Sequence, residues 1–342
     1  MSDILSLREN VSLAPYNTMG VSAKARFFVE VNRQKELKEA IQEASKRSTP
    51  IYLLGGGSNV LFVDDFKGMV IHINLKGLKL QEENNETIIV EVGAGENWHQ
   101  LVMHSVEKGW GGIENLSLIP GSVGAAPIQN IGAYGVELDQ VFVSLEAMAI
   151  ETGETKTFNK KECQFAYRDS IFKNSLKGKY VITSVTLRLQ KNPVINTSYS
   201  ALAEKLKEEG VENPDIEDVS KAVIGVRQSK LPDPAEIGNT GSFFKNPIIS
   251  QKQYTKLKQQ YPDIPHYPAG DEVKIPAAWL IDQCGWKGKR FGDAGVHKMQ
   301  ALVIVNYGMA TGKEIWHLAQ RIRNSVKEKF GVSLTSEVNV VT

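Results

Sequence analysis

Residues 53–62 read LLGGGSNVLF. An apolar, strand-like run, IYLL at 51–54, ends in three consecutive glycines: Gly55, Gly56 and Gly57. Glycine carries no Cβ, so backbone N–H groups there can approach an anion, or another backbone, closely. Ser58 and Asn59 add side-chain donors. A tight turn would use the same residues, so the stretch by itself allows both readings. The spacing is not GxGxxG, and GAGENW at 93–98 lacks the third glycine. GK occurs at 178, 288 and 312, but never within GxxxxGK[ST]. A standard dinucleotide fingerprint or P-loop is therefore not expected.

Working outward, residues 34–45 carry Leu37, Ala40, Ile41 and Ala44. Steps of three and four put these on one apolar helical stripe. MVIHI (69–73) and IIVEV (88–92) read as strands. Trp98, Leu101, Val102 and Ser105 repeat the helical spacing, and Gly109 follows the expected end. Alternating strands and helices over the first 110 residues or so imply an α/β layer arrangement. VITSVTLRL (181–189) is strand-like. QKNPVINTSYSA (190–201) reads as a linker or loop, and EEGVENPDIED (208–218) as a polar connection. Farther on, AAWLIDQCG (277–285) is expected to be helical and ALVIV (301–305) a strand. Ile315, Leu318, Ala319, Ile322 and Val326 mark an amphipathic helix, and SEVNVV a closing strand.

Composition bounds the rest. The chain has 342 residues, 42% hydrophobic and 23% charged, which is ordinary for a soluble globular protein. Two or three domains are the expectation at ~100–200 residues each. Forty basic against thirty-nine acidic side chains leave +1 and no basic stripe, which argues against a nucleic-acid binder. Cys163 and Cys284 are too few and too far apart for a disulfide scaffold or a paired-cysteine metal site. The six histidines include no HExxH, so no metal site is expected. MSDILSLREN lacks the apolar core of a signal peptide, and no apolar run of ~18 residues suits a bilayer. A cytoplasmic protein without membrane or nucleic-acid partners is expected.

Three more stretches invite chemistry. IPGSVGAAPIQNIGAYG (119–135) holds four glycines and two prolines, which suits neither a long helix nor a central strand. It has no charged residue, so a ligand lying along exposed backbone would explain it; routing of the chain is the plain alternative. FAYRDSIFK (165–173) presents Arg168, whose planar guanidinium suits a carboxylate, although most such arginines only solvate a surface or pair with an acid. GNTGSFFKNP (238–247) places Ser242 before two phenylalanines. Serine needs a neighbouring base or cation to act as acid or nucleophile. Arg227, Lys230 and Asn246 are near in sequence, no histidine is, and no GxSxG surrounds it; a turn or cap is the plain reading.

Taken together, in this order, LLGGGSNVLF, IPGSVGAAPIQNIGAYG, YRDSIF and GSFFKNP resemble the UDP-N-acetylenolpyruvoylglucosamine reductase (MurB) family. The resemblance runs from PYNTMG (15–20) to SEV (336–338). It implies the FAD-binding fold of vanillyl-alcohol oxidase and p-cresol methylhydroxylase: two α/β subdomains (residues 1–72 and 73–192) and a smaller substrate-binding α/β domain (200–330), with a final strand at 331–342. That fold takes FAD without GxGxxG, in keeping with the absence of that fingerprint from this sequence. The resemblance implies that Gly55, Gly56, Gly57, Ser58 and Asn59, with Pro120, Gly121, Ser122, Gly124, Ile128, Ile131 and Gly132, cradle FAD noncovalently. Ala125 and Ala126 stand where some relatives carry serines.

The implied catalytic residues are Arg168, Ser242 and Glu337, and Ser336 precedes the glutamate where many relatives have proline. Tyr199, in NTSYSAL, resembles the tyrosine of a substrate-closing loop found in the longer subtype. Tyr134, Arg227, Lys230, Asn246 and Gln300 match positions near the substrate. The implied reaction uses NADPH, through FAD, to reduce the enolpyruvyl ether of UDP-N-acetylglucosamine enolpyruvate, with Ser242 giving the proton to C2. A monomer is expected. The rival readings are another oxidase of the same fold and a non-enzymatic sugar-nucleotide sensor. Many such oxidases hold FAD covalently through histidine, and neither glycine-rich stretch contains one.

Overall fold

A computed structural model describes residues 5–342; the first four residues of the N-terminal stretch considered above lie outside the described residues. The chain divides into two compact units. The first takes residues 5–10, Arg26–Gly56 and Lys67–Ser229; the second takes Val11–Ala25, Gly57–Phe66 and Lys230–Thr342.

The first unit holds two sheets. One has four strands in the order Arg8–Ser12, Lys24–Val31, Phe66–Ile73, Ile51–Leu54, with Ile51–Leu54 parallel to its neighbour. Helix Gln34–Lys46 buries Leu37, Ala40, Ile41 and Ala44, the stripe its spacing predicts. Burial of a side chain such as Leu37 or Ile41 contributes ~1.5–3 kcal/mol. Glu36 reaches back to the N–H groups of Asn32 and Arg33 and closes the helix start. The other sheet is wholly antiparallel, in the order Thr155–Asn159, Phe142–Ala149, Tyr180–Gln190, Thr87–Gly93, Leu78–Glu83. Of the α-helices, only Trp98–Glu107 and the single turn Lys160–Cys163 stand between strands of this sheet, so the strand–helix alternation expected from the sequence is only partial. Helix Trp98–Glu107 buries Trp98, Leu101, Val102 and Ser105 as expected. One apolar core joins residues of both sheets and both helices, from Phe27 to Leu189.

A satellite core lies beneath residues read from the sequence as linkers. Helices Ser200–Glu208 and Ile216–Lys230 pack Leu202 and Leu206 against Val219, Ala222 and Val223, with Tyr134 and Ile195 alongside. The acids of PDIED, read as a polar connection, are a helix start. Asp215 accepts the N–H groups of Glu217 and Asp218 at 2.8 and 2.9 Å.

The second unit is assembled from three separated pieces of chain. Its main sheet runs Gly238–Ser242, Val303–Asn306, Ala294–Val296, Arg290–Phe291, antiparallel throughout. Ile248–Ser250, Glu272–Lys274 and Tyr267–Ala269 make a smaller sheet. Asn339–Val341 pairs in parallel with Val60–Phe62, so the closing strand is shorter than SEVNVV suggests. Helix Gly312–Phe330 buries the predicted stripe, starts with a Thr311–Glu314 capping box and ends at Gly331 in the left-handed region. Among the described residues, no helix is long and apolar enough to cross a membrane.

Candidate active-site segments

In the first unit, the two glycine-rich stretches meet backbone to backbone. A Cβ on Gly56 would stand 2.9 Å from Gly121 Cα, and one on Gly55 would strike the Ser122 hydroxyl. A Cβ on Gly124 would lie 2.5 Å from that of Ala94. Only bare backbone fits at these positions. The start of helix Trp98–Glu107 holds the second stretch in register. Trp98 N–H donates to Gly121 O (3.0 Å), Val123 N–H to Glu96 O (2.8 Å) and Gly124 N–H to Ala94 O (2.9 Å). The Trp98 indole donates to Leu116 O at 3.1 Å, and Leu118 N–H donates to His99 Nδ1 at 3.0 Å. Burial and the nearby Arg227 charge hold the His99 pKa below its usual value, so the ring stays a neutral acceptor. Pro120 and Gly121 thus sit at an accessible bend fixed from behind. Short single-turn helices at Val123–Ala125 and Pro127–Gln129 follow, in place of a long helix.

Arg168 sits on a tight turn in which Ala166 and Asp169 exchange backbone hydrogen bonds at 3.1 and 3.0 Å. Its own φ is 53°, a conformation few side-chain-bearing residues adopt. Its guanidinium donates to Gly132 O and, at 3.5 Å, to Asn130 O. Asn130, also left-handed at φ 42°, is buried and donates to Glu137 and to Ala166 O, while its amide oxygen receives Asp139 N–H. Ile128 O accepts the Ser170 hydroxyl at 2.7 Å, and Ile131 is buried beneath. The carbonyls of the glycine-rich stretch therefore aim Arg168.

Tyr134, left-handed at φ 48°, meets Tyr199 edge to face at 5.2 Å. Burial pushes the Tyr134 phenol up; the Arg227 charge opposes this and Tyr199 adds to it. Arg227, on helix Ile216–Lys230, is held below its usual pKa by burial first and by the like charge of Arg168, with Tyr134 opposing. Its Nε is buried without a hydrogen-bond partner. Two guanidinium groups near enough to repel, one with an unanswered donor, suit an anionic ligand. Asn115, fully buried, donates to Tyr134 O and Asn196 O, both at 2.9 Å, and so ties the Tyr199 segment to the Tyr134 turn. The sequence reading missed Asn115, which lies in no singled-out stretch, and Asn130, which lies within the glycine-rich stretch but was not singled out in it. Lys230 ends its helix exposed.

In the second unit, Ser242 ends the strand Gly238–Ser242. Behind it Phe243 and Phe244 are buried, their rings 5.2 Å apart, which accounts for the aromatic bulk. Phe243 N–H donates to Leu302 O, Glu337 N–H to Phe243 O and Lys245 N–H to Thr335 O, each at 2.9 Å. The end of the Ser242 strand is therefore laced, through Phe243, to the segment carrying Glu337, which lies just before the closing strand. Asn59 donates to Glu337 O at 3.4 Å and accepts Asn339 N–H at 3.1 Å. Gly57 has φ 62°, and a Cβ there would strike Tyr16 O; half-buried Ser58 follows it. Asn246 receives Ala277 N–H at 2.9 Å, and so closes the start of helix Ala277–Gln283. Gln300 sits at the turn into the next strand, its carbonyl receiving Val303 N–H at 3.1 Å.

Within the first unit, Gly55, Gly56 and Gly124 must stay bare because a Cβ would strike their neighbours, and glycine backbone of this kind fits a pyrophosphate-bearing cofactor. Comparison with known proteins agrees. Residues 25–159 match the family profile "FAD binding domain", and residues 233–341 match "UDP-N-acetylenolpyruvoylglucosamine reductase, C-terminal domain". The UDP-N-acetylenolpyruvoylglucosamine reductase of Amoebophilus asiaticus is 55% identical over 98% of this chain and 100% of that protein. The crystal structure of UDP-N-acetylenolpyruvylglucosamine reductase from Thermus caldophilus superposes with a TM-score of 0.68 at 27% identity, over 98% of this chain and 100% of that one. A solvent-stable cholesterol oxidase shares the fold alone, with a TM-score of 0.51 at 11% identity over 97% of this chain and 87% of that one. The chain belongs to the UDP-N-acetylenolpyruvoylglucosamine reductase family and is an FAD-dependent oxidoreductase.

Proposed function

We propose that this protein reduces UDP-N-acetylglucosamine enolpyruvate to UDP-N-acetylmuramate in the cytoplasm, for peptidoglycan precursor synthesis, as a monomer drawing on NADPH. The observation that carries the catalytic assignment is the hydrogen bond from Glu337 N–H to Phe243 O, which sets the segment carrying the carboxyl beside the end of the Ser242 strand in a unit built from distant pieces of chain. FAD binding is assigned to residues 17–192 and substrate binding to 200–330.

When bound noncovalently, FAD would supply the hydride equivalent for C3 of the enolpyruvyl group, with NADPH as the reductant. Negative charge then develops at C2 and spreads into the carboxylate. Arg168, already aimed by the carbonyls of Asn130 and Gly132, offsets that charge. Ser242 donates its proton to C2 as general acid, which completes addition of hydride and proton across the double bond. Glu337 hydrogen-bonds the developing acid. Arg227, with its unanswered Nε, Tyr134 and Tyr199 hold the anionic sugar nucleotide; Lys230, Asn246 and Gln300 complete its binding.

An anaerobic absorbance experiment tests this reading. The pure yellow protein should bleach with NADPH and recolour on addition of UDP-N-acetylglucosamine enolpyruvate. A protein that cannot be loaded with FAD, or that bleaches and fails to recolour, would overturn it. Acid precipitation should leave the yellow colour in the supernatant.

A further inference from the structure

The strand bearing Ser242 is irregular. Asn239 opposes Val305 and Ser242 opposes Val303, with a register shift between them: three steps on one strand match two on its partner. The extra residue makes a bulge at Thr240–Gly241, and Gly241 takes φ 68°. In a regular antiparallel strand, residues three apart face opposite sides of the sheet; a one-residue slip reverses that. The bulge therefore decides which face of the sheet receives the Ser242 hydroxyl.

One side chain closes the bulge. Asn239 is 2% exposed. Its amide oxygen receives Gly241 N–H at 2.9 Å, and its amide nitrogen donates to Ile237 O at 2.9 Å and Pro232 O at 3.2 Å. These three bonds use both amide protons and tie Gly241, in the bulge, to Ile237 and Pro232 before it through one rigid group. The backbone of Asn239 is fixed as well. Its N–H donates to Thr18 O at 2.9 Å, and its carbonyl accepts the Thr18 hydroxyl at 2.7 Å. Thr18 N–H in turn donates to Gly57 O at 3.1 Å. A continuous path of hydrogen bonds within the second unit thus runs from the third glycine of GGG, through Thr18, to Asn239 and the bulge.

We propose that Asn239 is the positioning residue for the proton donor: by closing the bulge it sets the face on which Ser242 presents its hydroxyl, and Thr18 backs it from the opposite side. This rests on the reading of Ser242 as general acid. Asn239 touches no reacting atom, so its effect falls on the step in which Ser242 gives up its proton and leaves reduction of FAD by NADPH alone.

Single-turnover kinetics on the FAD-loaded protein separate the two steps. Asn239→Ala should slow reoxidation by UDP-N-acetylglucosamine enolpyruvate roughly 10- to 100-fold, part of the ~10²–10⁴ that proton donation contributes. Reduction by NADPH, and binding of the substrate to the oxidised protein, should change less than about twofold if the role is confined to Ser242. The double variant Asn239→Ala/Ser242→Ala should be no slower than Ser242→Ala, because the first residue acts only through the second. Thr18→Val should show a smaller loss in the same step, and it carries the test if Asn239→Ala is insoluble. Reoxidation at an unchanged rate, equal loss in both steps, or additive losses in the double variant would each overturn the inference. Normal reoxidation by Ser242→Ala would instead sink the proton-donor reading itself; a slow Ser242→Ala beside a fast Asn239→Ala sinks only the positioning role.

Discussion

The two units place their functional side chains by different means. All seven side-chain-bearing residues with left-handed backbone among the described residues lie in the first unit, and Leu118, Asn130, Tyr134 and Arg168 fall in or beside its candidate ligand segments. Such conformations cost of order 1–3 kcal/mol and persist only where surrounding contacts hold them. Here the contacts are the buried amides Asn115 and Asn130, His99 Nδ1, and the Ala166–Asp169 turn. In the second unit every positive φ belongs to a glycine. There Ser242 is placed by a bulge at Gly241 and by lacing between strands, at little conformational cost. One unit aims side chains through strained turns, the other through sheet register. The first should tolerate loss of an amide that holds a strained turn poorly, the second loss of Gly241 or of the Asn239 amide that closes its bulge.

Substitutions can break or sharpen that contrast. The largest effect is expected at the second unit's own chemistry. Ser242→Ala should keep FAD and its reduction by NADPH, yet lose ~10²–10⁴-fold in reoxidation by the enolpyruvyl substrate, as stopped-flow absorbance would read. Next comes Arg168→Lys in the first unit. An ammonium cannot span the carbonyls of Asn130 and Gly132 while meeting a carboxylate in two places, so kcat should fall on the order of 10²-fold with flavin content intact. Equal loss of flavin would show that Arg168 merely supports the glycine-rich stretch. Gly56→Ala pushes a methyl onto Gly121 Cα; overpacking of this kind costs ~1–3 kcal/mol, and calorimetry should find both a lower Tm and weaker FAD binding. The smallest effect is expected for Tyr199→Phe. It keeps the ring against Tyr134 and removes one hydroxyl, worth ~0.5–1.5 kcal/mol, so titration should show weaker sugar-nucleotide binding while FAD reduction by NADPH is unchanged.

Much of the framework was legible as periodicity. The stripes of helices Gln34–Lys46, Trp98–Glu107 and Gly312–Phe330 could be read from spacing because one face of each meets the core. The helix pair that carries Arg227 was not read. Its start looks like a charged linker, because acids that stabilise a helix N-terminus also typify loops. Arg168 and Ser242 were assigned their proposed roles through the order of four motifs and not through any one of them. Asn115, Asn130 and Asn239 were not found at all: a buried amide earns its role from the carbonyls around it, and those come from elsewhere in the chain.

What the sequence determined alone is what local chemistry determines: which segments bury a stripe, where glycine leaves backbone bare, and which residue types offer a cation, a hydroxyl and a carboxyl. Tertiary structure decided which distant backbones become neighbours. Residues 11–25 and 57–66 join the C-terminal region, Thr18 reaches Asn239, and Glu337 pairs beside Phe243. Hydrogen-bond register between strands far apart in the chain leaves no periodic trace in either strand, so the face on which Ser242 stands can be known only from the folded sheet.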